Sequence, residues 1–578
     1  MSARRGVVLV LALILLAVLV SAGAVAVVTL FAGPSVQVPA NATLHLKLEA
    51  PFSEIEPIDV LGELFNRPPS LRSTIETIKR AKADARVTGL VIRPQGMGGL
   101  WAQLQEVRAA IEDFKTSNKP VTAYLEAAGA GEYYLASAAD RIVLMPAGQL
   151  DVVGLASYEL FFRGALDKLG VYPDLLHIGD YKTASNTFTE KGFTPAHREM
   201  TQALNRSWYD EVVRAIAAGR KMSEADVRAA IDRGPYLAEQ ALAAHLVDQL
   251  GYEDQLDDVP PIQGTREIQA DQYAKALPAA APPPSGGRIA LLYAVGVIAS
   301  GTSSFDTPGG NVVGSETFVQ WIRKVRVDPG IRAVVVRIDS PGGSAIASEV
   351  MWRELMLTRA VKPLVVSMGD VAASGGYYIA APADAIVAEP GTLTGSIGVV
   401  TGKFVAQGAA EKLGIGTASA ADGRLAELYS PFRRFTDEER ARVEEQLQST
   451  YELFLKRVAD GRHETPAKID GVAQGRVWTG RQAREIGLVD ELGGLDDAIR
   501  IAKQRAKLDP ARGVDLVVYP QKRSLYDVIS HSFGASTTAG VKTLLQAPDA
   551  RLMDATLSVI QRFRRGEPLA IMPNVFIH

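Results

Sequence analysis

The chain of 578 residues contains no cysteine. This absence excludes disulfide bonds, thiolate nucleophiles, iron–sulfur clusters and the usual structural zinc sites. An excess of charge of one sign is lacking as well, because 62 basic and 65 acidic side chains give a formal net charge of -3. Such a balanced chain does not suit a phosphate backbone, so we expect no nucleic-acid partner. Any covalent catalysis must use a side chain other than cysteine.

The beginning of the chain is uncharged over a length that spans a bilayer. Residues 6–32 are 27 residues without a charge, they follow Arg4 and Arg5, and the next lysine or arginine is Lys47. About 20 apolar residues form a membrane helix, whereas a cleavable signal peptide has an apolar stretch of about 7–15. We therefore predict that residues 1–39 are a cytoplasmic stub and an uncleaved transmembrane helix, with cleavage at the small-residue run SAGA as the alternative. The positive-inside rule places the remaining chain on the outer side.

The rest of the chain is too long for one hydrophobic core, since cores stop growing at about 250–300 residues. Residues 277–287 read LPAAAPPPSGG, a composition typical of a semi-rigid spacer. We predict one domain on each side of it, residues 40–276 and 288–520. Residues 521–578 form a tail whose stretch Leu552–Pro573 is read as an amphipathic helix that contacts either the membrane or another subunit.

The two halves repeat each other. The string VIRPQGMGG, which ends at Gly99, aligns with VVRIDSPGG, which ends at Gly343, at an offset of 244. The same offset aligns AGAGEYYLASAAD with AASGGYYIAAPAD and GALDKLGV with GAAEKLGI. After a deletion of two residues, an offset of 242 aligns LVDQL with LVDEL. This pattern indicates two copies of one fold.

Short apolar runs alternate with helical patterns in the second copy. Buried strands are predicted for IALLYAVGVI, AVVVRID, LVVSM and AIVAE, which are rich in β-branched residues. Between two of these runs, Phe318, Ile322 and Val325 share one helical face. The alternation predicts an α/β fold with a parallel sheet. Thr436 and Glu439 have the spacing of a capping box that opens a long helix.

A candidate nucleophile follows the third of these strands. Ser374 comes after the run LVVSM and a predicted turn at Gly369–Asp370, at the start of a predicted helix, where exposed N–H groups stabilise negative charge. The string SPGG, which ends at Gly343, is predicted to be a glycine turn that aims a backbone N–H outward. Gly343 and Gly375 would then form an oxyanion hole. The alternative is that a small serine among alanines and glycines serves only tight packing.

A serine hydroxyl needs a neighbouring base. None of the seven histidines lies in this motif, so we consider a lysine that burial keeps neutral. The first copy has Ala130 where the second has Ser374, and it has Lys182 where the second offers Arg424 or Ala426. One copy therefore retains a nucleophile and the other a base, so a working dyad must bridge the two. The pKa of the lysine would have to fall from about 10.4 to near neutrality; the alternative is an ordinary solvated lysine.

With these residues identified, the sequence closely resembles the signal peptide peptidase A family in its long, duplicated form. The resemblance covers roughly residues 40–510. It rests on the strings RIDSPGGS, SMGDVAASGGYY, TLTGSIGV, GDYKTA and GRVWTGRQAREIGLVDELGGL.

The resemblance implies two tandem Clp/crotonase-like domains in a serine endopeptidase with a Ser–Lys dyad. By this resemblance Ser374 is the nucleophile, Lys182 is the general base, and Ser396 of the TGSIG string orients the lysine amine. The family acts on short apolar peptides such as cleaved signal peptides, and it uses no metal or other cofactor. It also implies a homotetramer anchored in the bacterial inner membrane, with its catalytic domains on the periplasmic side.

Two other functions remain open at this point. Crotonase-like folds also host acyl-CoA chemistry, although export across the membrane argues against that reading. The other reading is a non-catalytic scaffold that organises membrane partners. The sequence also leaves open whether Lys182 and Ser374 meet within one chain or across two.

Overall fold

The computed structural model describes residues 37–56, 69–258, 263–276, 286–305, 310–521, 566–572 and 576–577, together with Leu15 and Val18. The predicted membrane segment therefore lies almost entirely outside the described residues, as do most of the spacer and residues 522–565 of the tail. Among the helices that are described, none is both long enough and apolar enough to cross a bilayer.

The structure is built from short strands and helices in regular alternation. The strands, labelled in chain order, are β1 Ala42–Glu49, β2 Val87–Gln95, β3 Val121–Leu125, β4 Arg141–Leu144, β5 Gln149–Leu150, β6 Ser157–Tyr158, β7 Tyr172–Ile178, β8 Tyr236–Leu237, β9 Gln249–Leu250, β10 Arg266–Gln269, β11 Arg288–Val295, β12 Val297–Ala299, β13 Val312–Gly314, β14 Ile331–Ser340, β15 Gly342–Ser344, β16 Leu364–Ala373, β17 Ala385–Ala388, β18 Leu393–Gly395, β19 Val399–Val405, β20 Val477–Thr479, β21 Glu491–Leu492, β22 Asp515–Tyr519, β23 Leu569–Ile571 and β24 Phe576–Ile577. The α-helices are α1 Leu71–Ala83, α2 Trp101–Lys115, α3 Ala130–Ala136, α4 Arg163–Leu169, α5 Asn186–Thr189, α6 Pro195–Arg220, α7 Glu224–Ile231, α8 Ala238–Ala243, α9 Ala270–Ala276, α10 Ser315–Val327, α11 Ala345–Arg359, α12 Gly375–Ala380, α13 Gln407–Lys412, α14 Asp437–Arg462, α15 Pro466–Asp470, α16 Gly480–Glu485 and α17 Leu495–Arg505.

Each half contains a parallel sheet with the same strand order. In the first half the order is β10-β1-β2-β3-β4-β9, and every neighbouring pair is parallel. In the second half β22-β11-β14-β16-β17-β21 follow the same path, again with parallel pairs. The repeated α/β fold expected from the sequence is therefore confirmed. Parallel sheets need helices on their faces, which explains why these strands are nearly continuous apolar runs.

The strand β16 divides its pairing in a way that the sequence did not indicate. Its residues Val365–Ser367 pair with β17, and Val371–Ala373 pair with the short strand β18. The predicted turn at Gly369–Asp370 is therefore wrong, because these residues lie inside a strand that runs on to Ala373. The register between β14 and β16 shifts between Ile338 and Ser340. At this level β16 changes its partner from β17 to β18.

A third sheet joins the two halves, in the order β13-β12-β15-β23-β19-β7. The strand β7 comes from the first half and pairs antiparallel with β19 of the second over seven residues. The strand β23 comes from the tail, so the part of the predicted amphipathic helix at Leu569–Ile571 is a strand instead. That prediction is wrong there because the backbone of this segment pairs with two neighbouring strands, which a helix does not allow.

The long helix α14 begins as the sequence predicts. Thr436 and Glu439 form a reciprocal capping box at the start of α14, and Thr194 caps the corresponding helix α6 of the first half. The helix α6 also contacts the second half, where the indole N–H of Trp208 donates to the carbonyl of Gly391 at 2.9 Å. The two halves are thus packed together over the region that carries the candidate site.

Candidate active site

The structure brings Lys182, Ser374 and Ser396 together in one place. The Lys182 amine nitrogen lies 2.8 Å from the Ser374 hydroxyl oxygen, although the two residues are 192 positions apart. The same nitrogen lies 2.9 Å from the Ser396 carbonyl oxygen and 3.0 Å from the Ser396 hydroxyl oxygen. All three side chains are fully buried, at 0% relative exposure. The contact between the two halves therefore forms within a single chain.

Ser374 occupies a strained junction between a strand and a helix. It follows the last residue of β16 and precedes α12, with φ 55° and ψ -113°, a backbone conformation that L-residues rarely adopt. Its N–H donates to the carbonyl of Gly395 at 2.7 Å, and its carbonyl accepts from the N–H of Tyr378 at 2.8 Å. These bonds fix the backbone, so the hydroxyl projects toward the lysine from a rigid position.

Lys182 is held by a segment of the second half. The carbonyl of Gln474 accepts from the N–H of Tyr181 at 2.9 Å. Gly475 follows with φ +77°, and a Cβ atom at this position would lie 2.5 Å from the N, Cα and Cβ atoms of Lys182. Only glycine can let the two backbones approach so closely. The position of the lysine thus depends on a glycine nearly three hundred residues further along the chain.

The same segment positions Ser396. Its N–H donates to the carbonyl of Arg476 at 2.7 Å, directly after Gly475. Ser396 also has a positive φ, of 49°. Two residues with unfavourable backbone conformations, Ser374 and Ser396, therefore contact the same amine. Strain of this kind persists only where the surroundings fix it, and it is concentrated at functional sites.

Burial lowers the pKa of Lys182 well below its ordinary value of 10.5. The cause is desolvation, which disfavours the charged ammonium form. Its three hydrogen-bond contacts are all with oxygens of Ser374 and Ser396, none of them a carboxylate. A neutral amine has two hydrogens to donate and one lone pair to accept. It can therefore donate to both Ser396 oxygens and accept the proton of the Ser374 hydroxyl.

The glycines proposed for the oxyanion hole lie beside this group, but not in a turn. Gly342–Ser344 form the short strand β15, so the predicted SPGG turn is wrong. The strand forms because both of its edges find partners, β12 on one side and β23 on the other. A Cβ atom added to Gly342 would lie 2.7 Å from the nitrogen of Gly375, so the two glycine segments are close neighbours.

A family comparison adds to this geometry. The family model of peptidase family S49 matches residues 113–259 and 356–509, one region in each half. The chain belongs to peptidase family S49. Lys182 lies in the first matched region, and Ser374 and Ser396 lie in the second.

Three relatives of this S49 peptidase match most of its length. The chloroplastic serine protease SPPA of Arabidopsis thaliana is 34% identical over 525 residues, covering 89% of this chain and 76% of the relative. Protease 4 of Salmonella typhi is 35% identical, with 83% and 78% covered. Protease 4 of Haemophilus influenzae is 32% identical, with 77% and 74% covered. The resemblance seen in the sequence is confirmed, and the chain is a serine peptidase.

A buried ion cluster lies between the two halves of the S49 peptidase. The guanidinium of Arg337 donates to Glu54 at 2.8 and 2.9 Å and also to Glu106, and these three side chains are almost fully buried. Glu54 and Glu106 belong to the first half, whereas Arg337 lies on β14 and leads into the string SPGG. The cluster therefore fixes the first half to the strand β14, which leads into the segment of the candidate oxyanion glycine Gly343.

Two further carboxyl groups lie near this cluster. Asp339 accepts from the N–H of Val371 at 2.9 Å, and Asp370 accepts from the N–H of Gln103 at 3.0 Å. Burial raises the pKa of Asp339 to about 7 and the pKa of Asp370 well above its usual range, and repulsion from Asp339 raises the latter further. Asp370 is thus held toward its neutral form. It does not contact the Lys182 amine.

Sequence reasoning missed two parts of this site. Gly475 was quoted in the string GRVWTG without a role, yet it supports the lysine backbone. Nothing local in the sequence indicates which backbone this glycine approaches. The tail strand β23 was missed as well, because its pairing depends on strands that lie far away in the sequence.

Proposed function

We propose that this S49 peptidase is an endopeptidase with a Ser–Lys dyad, in which Ser374 is the nucleophile, Lys182 the general base and Ser396 the residue that orients the lysine. The observation that carries the proposal is the 2.8 Å contact between the Lys182 amine and the Ser374 hydroxyl in a site without solvent exposure. A serine hydroxyl is activated by an adjacent base, and burial lowers the pKa of this amine and so favours its neutral form.

Acylation begins when Lys182 removes the proton of the Ser374 hydroxyl as its oxygen forms a bond to a peptide carbonyl carbon. The carbonyl oxygen becomes negatively charged, and the backbone N–H groups of Gly343 and Gly375 stabilise it. The ammonium group of Lys182 then gives its proton to the leaving amine as the C–N bond breaks. An ester joins Ser374 to the acyl part of the substrate.

Deacylation repeats these steps with water. Lys182 removes a proton from a water molecule, whose oxygen attacks the ester carbonyl. The lysine then returns that proton to the Ser374 oxygen as the ester bond breaks, which frees a carboxylic acid and restores the neutral amine. Ser396 accepts two hydrogen bonds from the amine throughout, so the lone pair stays aimed at Ser374.

We infer that the substrates are extended peptides with small or apolar side chains, such as cleaved signal peptides. A relative from Enterococcus faecium, 33% identical over 237 residues and covering 40% of this chain, carries the name putative signal peptide peptidase SppA. The uncharged residues 6–32 support a membrane anchor, with the Clp/crotonase-like domains on the periplasmic side of a bacterial inner membrane. By family resemblance the assembly is a homotetramer without a metal or other cofactor.

The test uses single variants of the full chain on an internally quenched peptide with alanine and leucine residues. We expect Ser374→Ala and Lys182→Ala each to lower kcat/KM by about a thousandfold or more, because each removes one half of the activated nucleophile. Matched controls are Ser449→Ala and Lys456→Ala, which change exposed residues of the helix α14.

A fluorophosphonate probe gives an independent readout, since it reacts with an activated serine. The wild-type chain should be labelled at Ser374, and Lys182→Ala should be labelled far more slowly. Wild-type turnover by either Ser374→Ala or Lys182→Ala would eliminate the dyad.

A further inference from the structure

The strand β23 of the tail fills a gap between two strands of the candidate site. It pairs antiparallel with β15 on one side and with β19 on the other. The strand β15 carries Gly343, and β19 begins three residues after Ser396. Without β23 the third sheet would be interrupted, with two open edges beside the nucleophile. Extended peptides bind proteins by adding a strand to such edges.

The register places one tail carbonyl at the proposed oxyanion hole. Gly343 is opposite Ala570, and the bonds two residues away on each side are from Ala345 N–H to the Pro568 carbonyl at 3.2 Å and from Met572 N–H to the Pro341 carbonyl at 2.8 Å. Bonded pairs in an antiparallel ladder recur at every second residue, so the N–H of Gly343 donates to the carbonyl of Ala570.

The neighbouring glycines locate the same carbonyl more closely. A Cβ atom on Gly342 would lie 2.0 Å from the Ala570 oxygen and 2.7 Å from the nitrogen of Gly375. A Cβ atom on Gly375 would lie 3.2 Å from that oxygen. The Ala570 carbonyl is therefore adjacent to both of the proposed oxyanion donors, where the carbonyl of a peptide about to be cleaved would lie.

The strand alternates in burial as a bound peptide would. Pro568, Ala570 and Met572 are buried, whereas Leu569 and Ile571 are partly exposed. Ala570 is fully buried, so the slot encloses a small side chain at the position beside Ser374. Ser374 itself has no exposure to solvent, although a substrate must reach its hydroxyl. A site that is closed in this way needs a movable part.

Contacts before and after the strand hold it in place. The Glu567 carboxylate accepts from the hydroxyl of Ser344, and the hydroxyl of Thr401 donates to the carbonyls of Gly566 and Glu567 at 3.1 and 3.2 Å. On the other side of the strand, Phe576–Ile577 pair with β6 of the first half. The segment thus crosses the site as a strap that is fixed at both ends.

We propose that residues 566–572 are a built-in pseudosubstrate, which occupies the peptide slot of its own chain and must leave before a substrate binds. This inference rests on the proposed function, because it assigns the slot to peptides that Ser374 attacks. A tethered segment competes at an effective concentration in the millimolar range, so even a weak intrinsic affinity closes the site.

The experiment uses full chains that carry Ser374→Ala, so that binding is measured without turnover. The probe is a fluorescent peptide with the sequence EPLAIM of Glu567–Met572, blocked at both ends, and the measurement is fluorescence polarisation. Adding Ala570→Asp should release the strap, because a charge cannot be buried in the slot. We expect it to tighten peptide binding by about tenfold or more.

The control is Ala418→Asp, which adds the same charge to an exposed loop and should leave peptide binding unchanged. A second probe, EPLDIM, should bind neither variant. Equal binding of EPLAIM to the Ala570→Asp and Ala418→Asp chains would overturn the pseudosubstrate.

Activity assays separate this outcome from a failure of the proposed function. In chains that keep Ser374, Ala570→Asp should lower KM for a short peptide and speed fluorophosphonate labelling, with kcat unchanged. If both chains cleave peptides in a Ser374-dependent manner but KM and labelling are the same, the pseudosubstrate is wrong and the peptidase stands. If EPLAIM binds as expected but no Ser374-dependent cleavage occurs, the proposed function is wrong, although residues 566–572 still compete with peptides for the slot.

Discussion

Replacing Gly475 by alanine should displace the proposed general base without altering any atom of the dyad. The added Cβ atom would lie 2.5 Å from three atoms of Lys182, whereas carbon atoms normally approach to about 3.5–4.0 Å. The lysine backbone must therefore move by about 1 Å. Its amine is 2.8 Å from the Ser374 hydroxyl, so a shift of this size breaks the hydrogen bond through which the proton passes.

The expected loss is about a hundredfold in kcat/KM. General-base catalysis contributes about 10²–10⁴-fold, and misplacing a catalytic group by about 1 Å costs about 10²-fold. A hundredfold loss corresponds to about 2.7 kcal/mol of transition-state stabilisation. Because Gly475 does not touch the peptide slot in this account, KM should change little and the loss should fall on kcat.

The control is a glycine with the same backbone conformation and no neighbour. Gly487 has φ +81°, close to the +77° of Gly475, and no atom lies within 4 Å of a Cβ atom added there. Gly487→Ala therefore carries the same conformational strain, of about 1–2 kcal/mol, without the clash. Peptide cleavage and urea unfolding should be measured on both variants. If Gly475→Ala and Gly487→Ala cleave the peptide equally fast, the glycine does not position the base.

Three further predictions concern protons, orientation and stability. Because the folded-state pKa of Lys182 is lowered and the base must be neutral, kcat/KM should rise with pH and level off well below pH 10.5; a rate that still rises at pH 10.5 would contradict this. Ser396→Ala removes one of the three contacts of the amine, at a cost of about 1 kcal/mol, so kcat should fall about fivefold at constant KM; an effect on KM alone would exclude an orienting role. Arg337→Met leaves the buried carboxylates of Glu54 and Glu106 without their cationic partner and should lower the free energy of unfolding by about 3–5 kcal/mol in urea titrations. The control Arg323→Met, at a side chain that is 60% exposed, should lower the free energy of unfolding by at most about 1 kcal/mol. Equal losses in the two variants would show that the buried cluster stabilises the fold no more than an exposed ion pair does.

The comparison of the two copies predicted more of this site than any single motif. Strand periodicity and the offset of 244 residues indicated a duplicated α/β fold, and both sheets have the same strand order. The asymmetry between Ala130 and Ser374 suggested that a lysine of the first copy must meet a serine of the second. The structure brings Lys182 and Ser374 to 2.8 Å.

Local patterns were less reliable where a segment finds its partner at a distance. Glycines at Gly342–Gly343 and Gly369 suggested turns, because glycine is common where the chain reverses. Both segments are strands, since neighbouring strands form hydrogen bonds with their backbone groups. Glycine has no side chain, so these backbones can approach each other closely. The apolar residues of β23 suggested a helix, because their spacing carries no information about which strand edges elsewhere in the fold are open.

The sequence by itself determined the class of the fold, the duplication, the division of the candidate site between the halves and the identity of the two candidate side chains. These features depend on residue type and spacing, which are local or repeated along the chain. The tertiary structure alone decided that the lysine is fully desolvated, that Gly475 supports it, and that a tail strand lies across the candidate nucleophile. Each of these depends on atoms brought together from distant segments, because burial and backbone pairing are properties of the packed chain.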